Sequence, residues 1–306
     1  MKIKDIVKLW MAEKKLQVKA SSLSTYMNHV DNYIIPEFGG LEEITEEIIQ
    51  EWIYRAINDG KISGKSVRDV IITLKMILKY GAKKKLINFP DFELNYPTHS
   101  LSAKTKLEVL SKADYKKLTD YLFGNFTFQN LGLLITLYTG MRIGEVSALK
   151  WYDVDLVEGV FHVDATIQRI YFFDEEEGKK RTKVIMDSAK TINSTRDIPI
   201  SKKLLPILKS VKKVVNDDFF VLSNGPKPIE PRTYRNYYKK VLDKLNIRRI
   251  KFHGLRHTFA TYLIEGGADV KTTSVLLGHS KTSITMDIYV HPNMQQKRSA
   301  IDKFLK

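Results

Sequence analysis

The 306-residue chain contains no cysteine. That absence excludes disulfides, thiolate nucleophiles and cysteine-ligated zinc, and it fits a cytosolic protein. No run of about 18 apolar residues occurs, so no membrane-spanning helix is expected. The start, MKIKDIVKLWMAEKK, alternates charged and apolar residues and lacks the apolar core of a signal peptide. Familiar catalytic signatures are missing too. There is no phosphate-binding loop for ATP, no G-x-S-x-G nucleophile elbow and no H-E-x-x-H zinc site. Nor is there an acidic cluster suited to two-metal phosphoryl transfer. Acid is the scarce charge: 35 Asp and Glu face 50 Lys and Arg, a net charge of +15. Such an excess implies a polyanionic partner. Nucleic acid is the commonest, with a membrane surface or a ribosome as alternatives.

What is present divides the chain in three. Residues 1–88 read as four helices, with Ile6, Leu9, Trp10 and Leu16 as the apolar stripe of the first. The second, SSLSTYMNHVDNYIIPEFGG, stops at Pro36 and Gly39-Gly40; Thr45 caps the third and Gly60 ends it. Residues 89–106 carry two prolines and little periodicity, and read as an extended linker free to move against both flanks. From 107 to 306 the pattern is a mainly helical domain with one small antiparallel sheet. Ser111 and Asp114 have capping-box spacing, LGLLITLYTG reads as a buried helix, and MRIGEVSALKWYDVD as a shorter one. GVFHVDATIQRIYFF, RTKVIMDSAK and RDIPI read as strands. The fold class is therefore mainly α with a small antiparallel sheet.

Basic residues crowd both ends of the first domain, and Lys65, Arg68 and Lys75 fall on one helix there. They are candidate phosphate contacts, although any single lysine can equally be a solvated surface residue. In the second domain, PRTYRNYYKK offers Arg232 and Arg235, for bases or for phosphates.

The chemistry-bearing residues also lie in the second domain. TGMRIGE sets Arg142 where a Gly140 turn meets a new helix, with Glu145 three residues on to orient it. Alone, the pair is also what a surface salt bridge looks like. In KFHGLRHTFATYLIEGG, His253 and Arg256 are three apart at a helix start. Both can face one anion, assisted by the amides of that helix N-terminus. His257 is expected to point elsewhere and to be structural. LLGHSKTSITMDIYVH places His279 in a turn and Tyr289 ten residues later. Taken alone, Tyr289 is as readily a core aromatic. Together, two arginines, two histidines, a lysine and a tyrosine without a metal suit one reaction, attack of a phenolate on a phosphodiester. The guanidiniums would hold the non-bridging oxygens, and a lysine would protonate the leaving 5′ oxygen.

These motifs stand in the order and spacing of a known family. TGMRIGE, HGLRHTFAT, LLGHS and DIYVH resemble the tyrosine recombinases of the phage-integrase family over essentially the whole chain. By that resemblance Arg142 and Arg256 are the phosphate-binding arginines, His253 and His279 the active-site imidazoles, Tyr289 the nucleophile and Glu145 a support. The hairpin lysine is Lys190, with Lys183 as its competitor. The resemblance implies a core-binding domain at 1–88 and a catalytic domain at 107–306, which form a C-shaped clamp around DNA. A C-terminal tail, 292–306, would dock on a neighbouring protomer. It implies a 3′-phosphotyrosine, strand exchange through a Holliday junction, and no metal or other cofactor. The partners are double-stranded DNA at specific sites, a homodimer to homotetramer on that DNA, and an accessory DNA-bending protein; no membrane is involved. The expected location is the cytoplasm, for a bacterial or phage-encoded protein that associates with the nucleoid when bound to DNA.

The long RIYFFDEEEGKKRTKVIMDSAK hairpin looks more like a mobile-element integrase than a shorter Xer-type resolvase. The arm-binding domain usual in such integrases is missing ahead of the first helix, as in a simpler recombinase or a chain shortened at its start. A Xer-like dimer resolvase, a type IB topoisomerase and a non-catalytic DNA-binding protein stay open as alternatives.

Overall fold

A computed structural model of the chain describes residues 1–88, 92–97, 107–174, 179–188 and 195–289, with 294, 298 and 302. The chain divides into two compact units. One is Met1–Lys106 with Arg169–Lys183; the other is Leu107–Gln168 with Val184–Lys306. The sequence assigned all of 107–306 to one domain, whereas the outer part of the long hairpin groups with the first unit. There the Tyr171 amide donates to Ser24 Oγ at 2.8 Å.

The first unit is helical apart from that hairpin: α1 (Ile3–Gln17), α2 (Ala20–His29), α3 (Ile35–Phe38), α4 (Glu46–Asn58) and α5 (Gly64–Lys83). The buried face of α1 is Ile3, Ile6, Val7 and Trp10, at helical spacing. Leu9 and Leu16, expected on that stripe, lie outside it; Leu16 is 87% exposed. The stripe begins one turn earlier, at Ile3, which rotates both leucines to the solvent side. Val67, Val70, Ile71, Leu74, Ile77 and Leu78 of α5 complete the core with Ile49, Trp52 and Ile53 of α4. Each such burial contributes roughly 1.5–3 kcal/mol. Thr45 and Ser63 cap α4 and α5 by accepting the amides of Ile48 and Ser66. Pro36 cannot donate to the carbonyl four residues back, yet it does not end the helix. The chain opens into a π turn at Val30–Ile34, where the Ile35 amide reaches Val30 O, and helical geometry continues to Phe38.

The described part of the expected free linker is fastened to this unit. Phe92 is buried in its core. Gln50 exchanges two hydrogen bonds with the Asn95 backbone, and Glu46 accepts the Glu93 amide. Lys75 Nζ donates to Phe92 O at 3.0 Å, and the Arg68 guanidinium stacks over Tyr96 at 4.6 Å. Two of the candidate phosphate contacts therefore hold the chain itself, while Lys65 is exposed.

In the second unit α6 (Lys112–Gly124) starts at Ser111, whose Oγ accepts the Asp114 amide. α7 (Phe128–Thr139) is buried almost all round. α8 (Ile143–Ala148) is shorter than expected. After it the chain tightens into a 3₁₀ turn, Trp151–Asp153, and then pairs as β1 (Val154–Asp155). β2 (Val160–Val163) pairs antiparallel with β1 and with β5 (Arg196–Pro199). β3 (Ala165–Asp174) and β4 (Lys179–Ser188) form a separate two-stranded sheet. One long strand was expected across 159–173. It breaks at Asp164, so the described residues hold two small sheets rather than one. α9 (Leu205–Lys212), α10 (Pro231–Lys244), α11 (His253–Glu265), α12 (Val270–Leu277) and α13 (Thr282–Tyr289) complete the unit.

Gly140 ends α7 at φ +65°, a left-handed conformation that costs other residues about 1–2 kcal/mol. A Cβ there would also lie 2.5 Å from Phe259 Cδ1, an overpacking penalty of about 1–3 kcal/mol. Gly140→Ala is therefore expected to destabilise the second unit by about 2–4 kcal/mol, read as a lower urea midpoint at unchanged slope. An unshifted midpoint would contradict this packing.

Candidate active site

The site is built from helix ends. α7 stops at Gly140, and two residues later Arg142 begins α8 in extended conformation. The Arg142 amide donates to Glu145 Oε2 at 2.8 Å and its guanidinium to Glu145 Oε1 at 2.7 Å. This is not a solvated surface pair, because Glu145 is only 6% exposed. Its second partner was not singled out in the sequence. Arg196, at the start of β5 and itself buried, donates to Glu145 Oε2 at 2.9 Å and to Leu276 O at 2.7 Å. Burial opposes the charge of Glu145, but Arg196 and then Arg142 outweigh it and hold its pKa below the usual glutamate value. RDIPI gave one clue to Arg196. An arginine opening an alternating strand next to buried Ile198 has to find a partner inside.

Arg256 is 1% exposed. It donates to Gly140 O at 2.9 Å and to Leu277 O at 2.6 Å. Arg142 donates to the next carbonyl, Gly278 O, at 3.3 Å. Gly278 ends α12 in the left-handed conformation, φ +64°. Each guanidinium has five N–H donors. Arg142 and Arg256 each spend two on these bonds. Burial first and Arg142 second lower the Arg256 pKa to about 9, so it remains cationic at neutral pH.

Two of the α11 amides expected to help are already spent. The Gly254 and Leu255 amides are already bonded to Lys251 O and Phe252 O, because a turn precedes the helix. His253, Arg256 and His257 do share one face, as residues at i, i+3 and i+4 must. The rings of His253 and His257 meet edge-to-face at 4.6 Å. His257 Nδ1 lies 2.6 Å from the Tyr289 hydroxyl. The expectation that His257 points elsewhere is therefore wrong. Helical spacing alone, applied to i+4 as it was to i+3, would have found it.

His279 Nδ1 meets Thr285 Oγ1 of α13 at 2.8 Å. Its pKa is lowered to about 4, first by desolvation and then by Arg256 and Arg142. His253, although exposed, is crowded by protein atoms. That desolvation, followed by His257 and Arg256, lowers its pKa to about 4 as well. Tyr289 is pushed up to about 12 by burial, against the opposing pull of Arg256. The structure thus brings Arg142, Glu145, His253, Arg256, His279 and Tyr289 together, and adds Arg196 and His257. Lys190 lies outside the described residues, as does the C-terminal tail apart from 294, 298 and 302. Lys183 belongs to the first unit, its ammonium 5.0 Å from the Phe172 ring. Arg232 and Arg235 are exposed on α10, three residues apart. Among the described residues no three His, Asp or Glu side chains group to hold a metal, and no helix is long and apolar enough to cross a membrane.

The model of the phage integrase family matches residues 103–296, and that of its N-terminal SAM-like domain matches residues 2–56. The chain belongs to the phage integrase family. It is a tyrosine recombinase, an enzyme that breaks and rejoins DNA strands. It is 30% identical to a XerC-like tyrosine recombinase of Caldanaerobacter subterraneus subsp. tengcongensis, over 97% of this chain and 81% of that one. The tyrosine recombinase XerD of Staphylococcus aureus is 27% identical, over 92% of this chain and 89% of its own. In fold the recombinase is similar to the Tn1549 transposon integrase in complex with transposon right end DNA: TM-score 0.79, 19% identity, 100% of each chain. It is also similar to a lambda integrase dimer bound to a COC′ core site: TM-score 0.65, 19% identity, 96% of this chain and 97% of that one.

Glu145→Gln leaves Arg196 buried beside a neutral amide. Stability is expected to fall by roughly 3–5 kcal/mol at neutral pH. The pH dependence has a definite sign. A depressed carboxylate pKa gives stability that is present above the unfolded value and lost as pH falls through the folded one. Urea titrations should therefore show the wild type losing more stability than Glu145→Gln as pH drops below 4.5. Parallel losses would refute the assignment.

Proposed function

We propose that the chain is a site-specific integrase of a mobile element, in which Tyr289 attacks a DNA phosphodiester and forms a 3′-phosphotyrosine. The observation that carries this reading is that Arg142 and Arg256 hold the adjacent carbonyls of Gly278 and Leu277 while Arg256 also acts electrostatically on the hydrogen-bonded Tyr289 hydroxyl. A non-bridging phosphate oxygen fits the two guanidiniums, and the charge that grows in the pentavalent transition state strengthens the contacts. His253 and His279, neutral at pH 7, donate hydrogen bonds to the phosphate. Lys190, or Lys183 in its place, protonates the leaving 5′ oxygen. The ester to Tyr289 conserves the bond energy, so strands rejoin by attack of a 5′-hydroxyl without ATP or metal, through a Holliday junction.

Residues 1–88 serve as the core-binding domain, 89–106 as the connection, 107–306 as the catalytic domain and 292–306 as the docking tail. Lys65, Arg68, Lys75, Arg232 and Arg235 contact the duplex, Arg68 and Lys75 on exchanging their present partners for phosphate. The protein works in the cytoplasm, as a dimer to tetramer on double-stranded DNA, with an accessory DNA-bending protein where the site requires one. The DNA complexes of the Tn1549 and lambda integrases support this partner choice. The 10-residue strands β3 and β4 support the mobile-element reading. A Xer-like resolvase is the second reading, favoured by the 30% identity to the XerC-like recombinase.

A nicked suicide duplex, selected from a random-sequence pool by covalent capture, tests the chemistry. A protein–DNA band is expected on a denaturing gel, surviving EDTA and absent for Tyr289→Phe. A band that persists in Tyr289→Phe would remove Tyr289 as nucleophile. Affinity for the same duplex should fall steeply with salt, in step with the phosphates neutralised. A flat salt response would count against extended phosphate contact.

A further inference from the structure

His257 lies next to the phenol that the proposed reaction must deprotonate. Its Nδ1 is 2.6 Å from Tyr289 Oη, with ring centroids 5.7 Å apart. Neither His253 nor His279 has such a bond. His279 Nδ1 is engaged by Thr285, and His253 meets the His257 ring edge. The groups facing His257 are His253 and Arg256 from its own helix, Tyr289 from α13 and Glu108 from the segment before α6. Glu108 is held in place by accepting the Lys251 amide at 3.0 Å.

We infer that His257 is the general base that takes the Tyr289 proton as the phenol attacks phosphorus. The inference rests on the proposed cleavage reaction. The imidazole carries its proton on Nε2, and Tyr289 Oη donates to Nδ1. As the Oη–P bond forms, the phenolic proton passes to Nδ1 and His257 becomes imidazolium. The P–O5′ bond breaks, and the 5′ oxygen takes its proton from the hairpin lysine. In rejoining, the 5′-hydroxyl attacks phosphorus and gives its proton back to the hairpin lysine, the Oη–P bond breaks, and His257 returns its proton to the departing phenolate. In the free protein burial, and then Arg256, keep His257 below its usual pKa. A phosphate anion seated on the arginines offsets that cationic field and makes the imidazole more basic. Glu108 favours the imidazolium.

The test is single-turnover adduct formation against pH on the captured nicked duplex, with wild type, His257→Gln and His257→Asn. Glutamine can still accept a hydrogen bond from Tyr289 but cannot take its proton. A mobility shift on intact duplex confirms that each variant is folded. A base contributes on the order of 10²-fold or more. His257→Gln should therefore slow capture by about 10²-fold at neutral pH. The gap should narrow as hydroxide takes over the deprotonation at higher pH. The defect should persist on a 5′-bridging phosphorothiolate, whose sulfur departs without a proton. Wild-type rates and an unchanged pH profile in both variants would overturn the inference and reduce His257 to packing. So would repair of the defect by sulfur, which would put His257 on the leaving group. A wild type that forms no adduct would overturn the underlying reaction as well, and the two failures are told apart by that lane alone.

Discussion

The site depends on one buried carboxylate. Arg142, Arg196 and Arg256 bring three positive charges into one small region, two of them deep in the protein. Like charges about 4 Å apart repel by roughly 4 kcal/mol where the effective dielectric constant is near 20. Glu145 answers two of the three directly, with Oε1 on the Arg142 guanidinium and both oxygens on Arg196. It also fixes where α8 begins, because its Oε2 accepts the Arg142 amide as well. Charge balance and backbone geometry are thus set by one side chain. A single carboxylate cannot neutralise three guanidiniums, and the remaining positive charge is what an incoming phosphate meets.

The rest of that charge is held by backbone. The last carbonyls of a helix have no partner within it and carry the negative end of its dipole. At the end of α12 Leu276, Leu277 and Gly278 each accept from a different arginine: Arg196, Arg256 and Arg142 in turn. The left-handed Gly278 turns the chain there, and His279 follows at once. α13 then carries Tyr289 back to His257 on α11. One helix terminus therefore positions the arginines and also launches the segment that bears Tyr289. A displacement of α12 would disturb the arginines and Tyr289 together.

Much of this was legible in the sequence because it is local. Gly140 before MRIGE, Gly278 before His279 and Ser111 before Asp114 announce helix ends by their own backbone preferences, and the helices start or stop there. What escaped was tertiary. Arg196 lies 51 residues from Glu145, and nothing local reports that pairing. The segment 92–97 has the composition of a linker, but Phe92 finds a core and Lys75 its carbonyl. Its affinity for the helical unit comes from those partners, not from its own periodicity. Leu9 and Leu16 were misplaced because Ile3 and Val7 outcompete them for the core. His257 is a different kind of miss. Its place beside His253 follows from the helical repeat, but its partner sits 32 residues on, at the end of another helix.

The burial that strengthens the arginines also restrains the chemistry. Withdrawn from water, Tyr289 rises to about 12, and the neighbouring imidazoles fall, because each charged form is costly there. The resting site therefore holds a neutral phenol and neutral histidines beside cationic arginines. Such a site attracts phosphate strongly but has no phenolate with which to attack it. The missing ingredient is the substrate's own charge. In the proposed reaction a phosphodiester seated between Arg142 and Arg256 offsets the Arg256 field that adds to burial in holding the His257 pKa down, and it presents the centre that converts a developing phenolate into an ester. Proton transfer and bond formation then favour each other, whereas either step alone is opposed. On that proposal, reactivity is confined to DNA already engaged by the arginines, and the free protein keeps Tyr289 protonated.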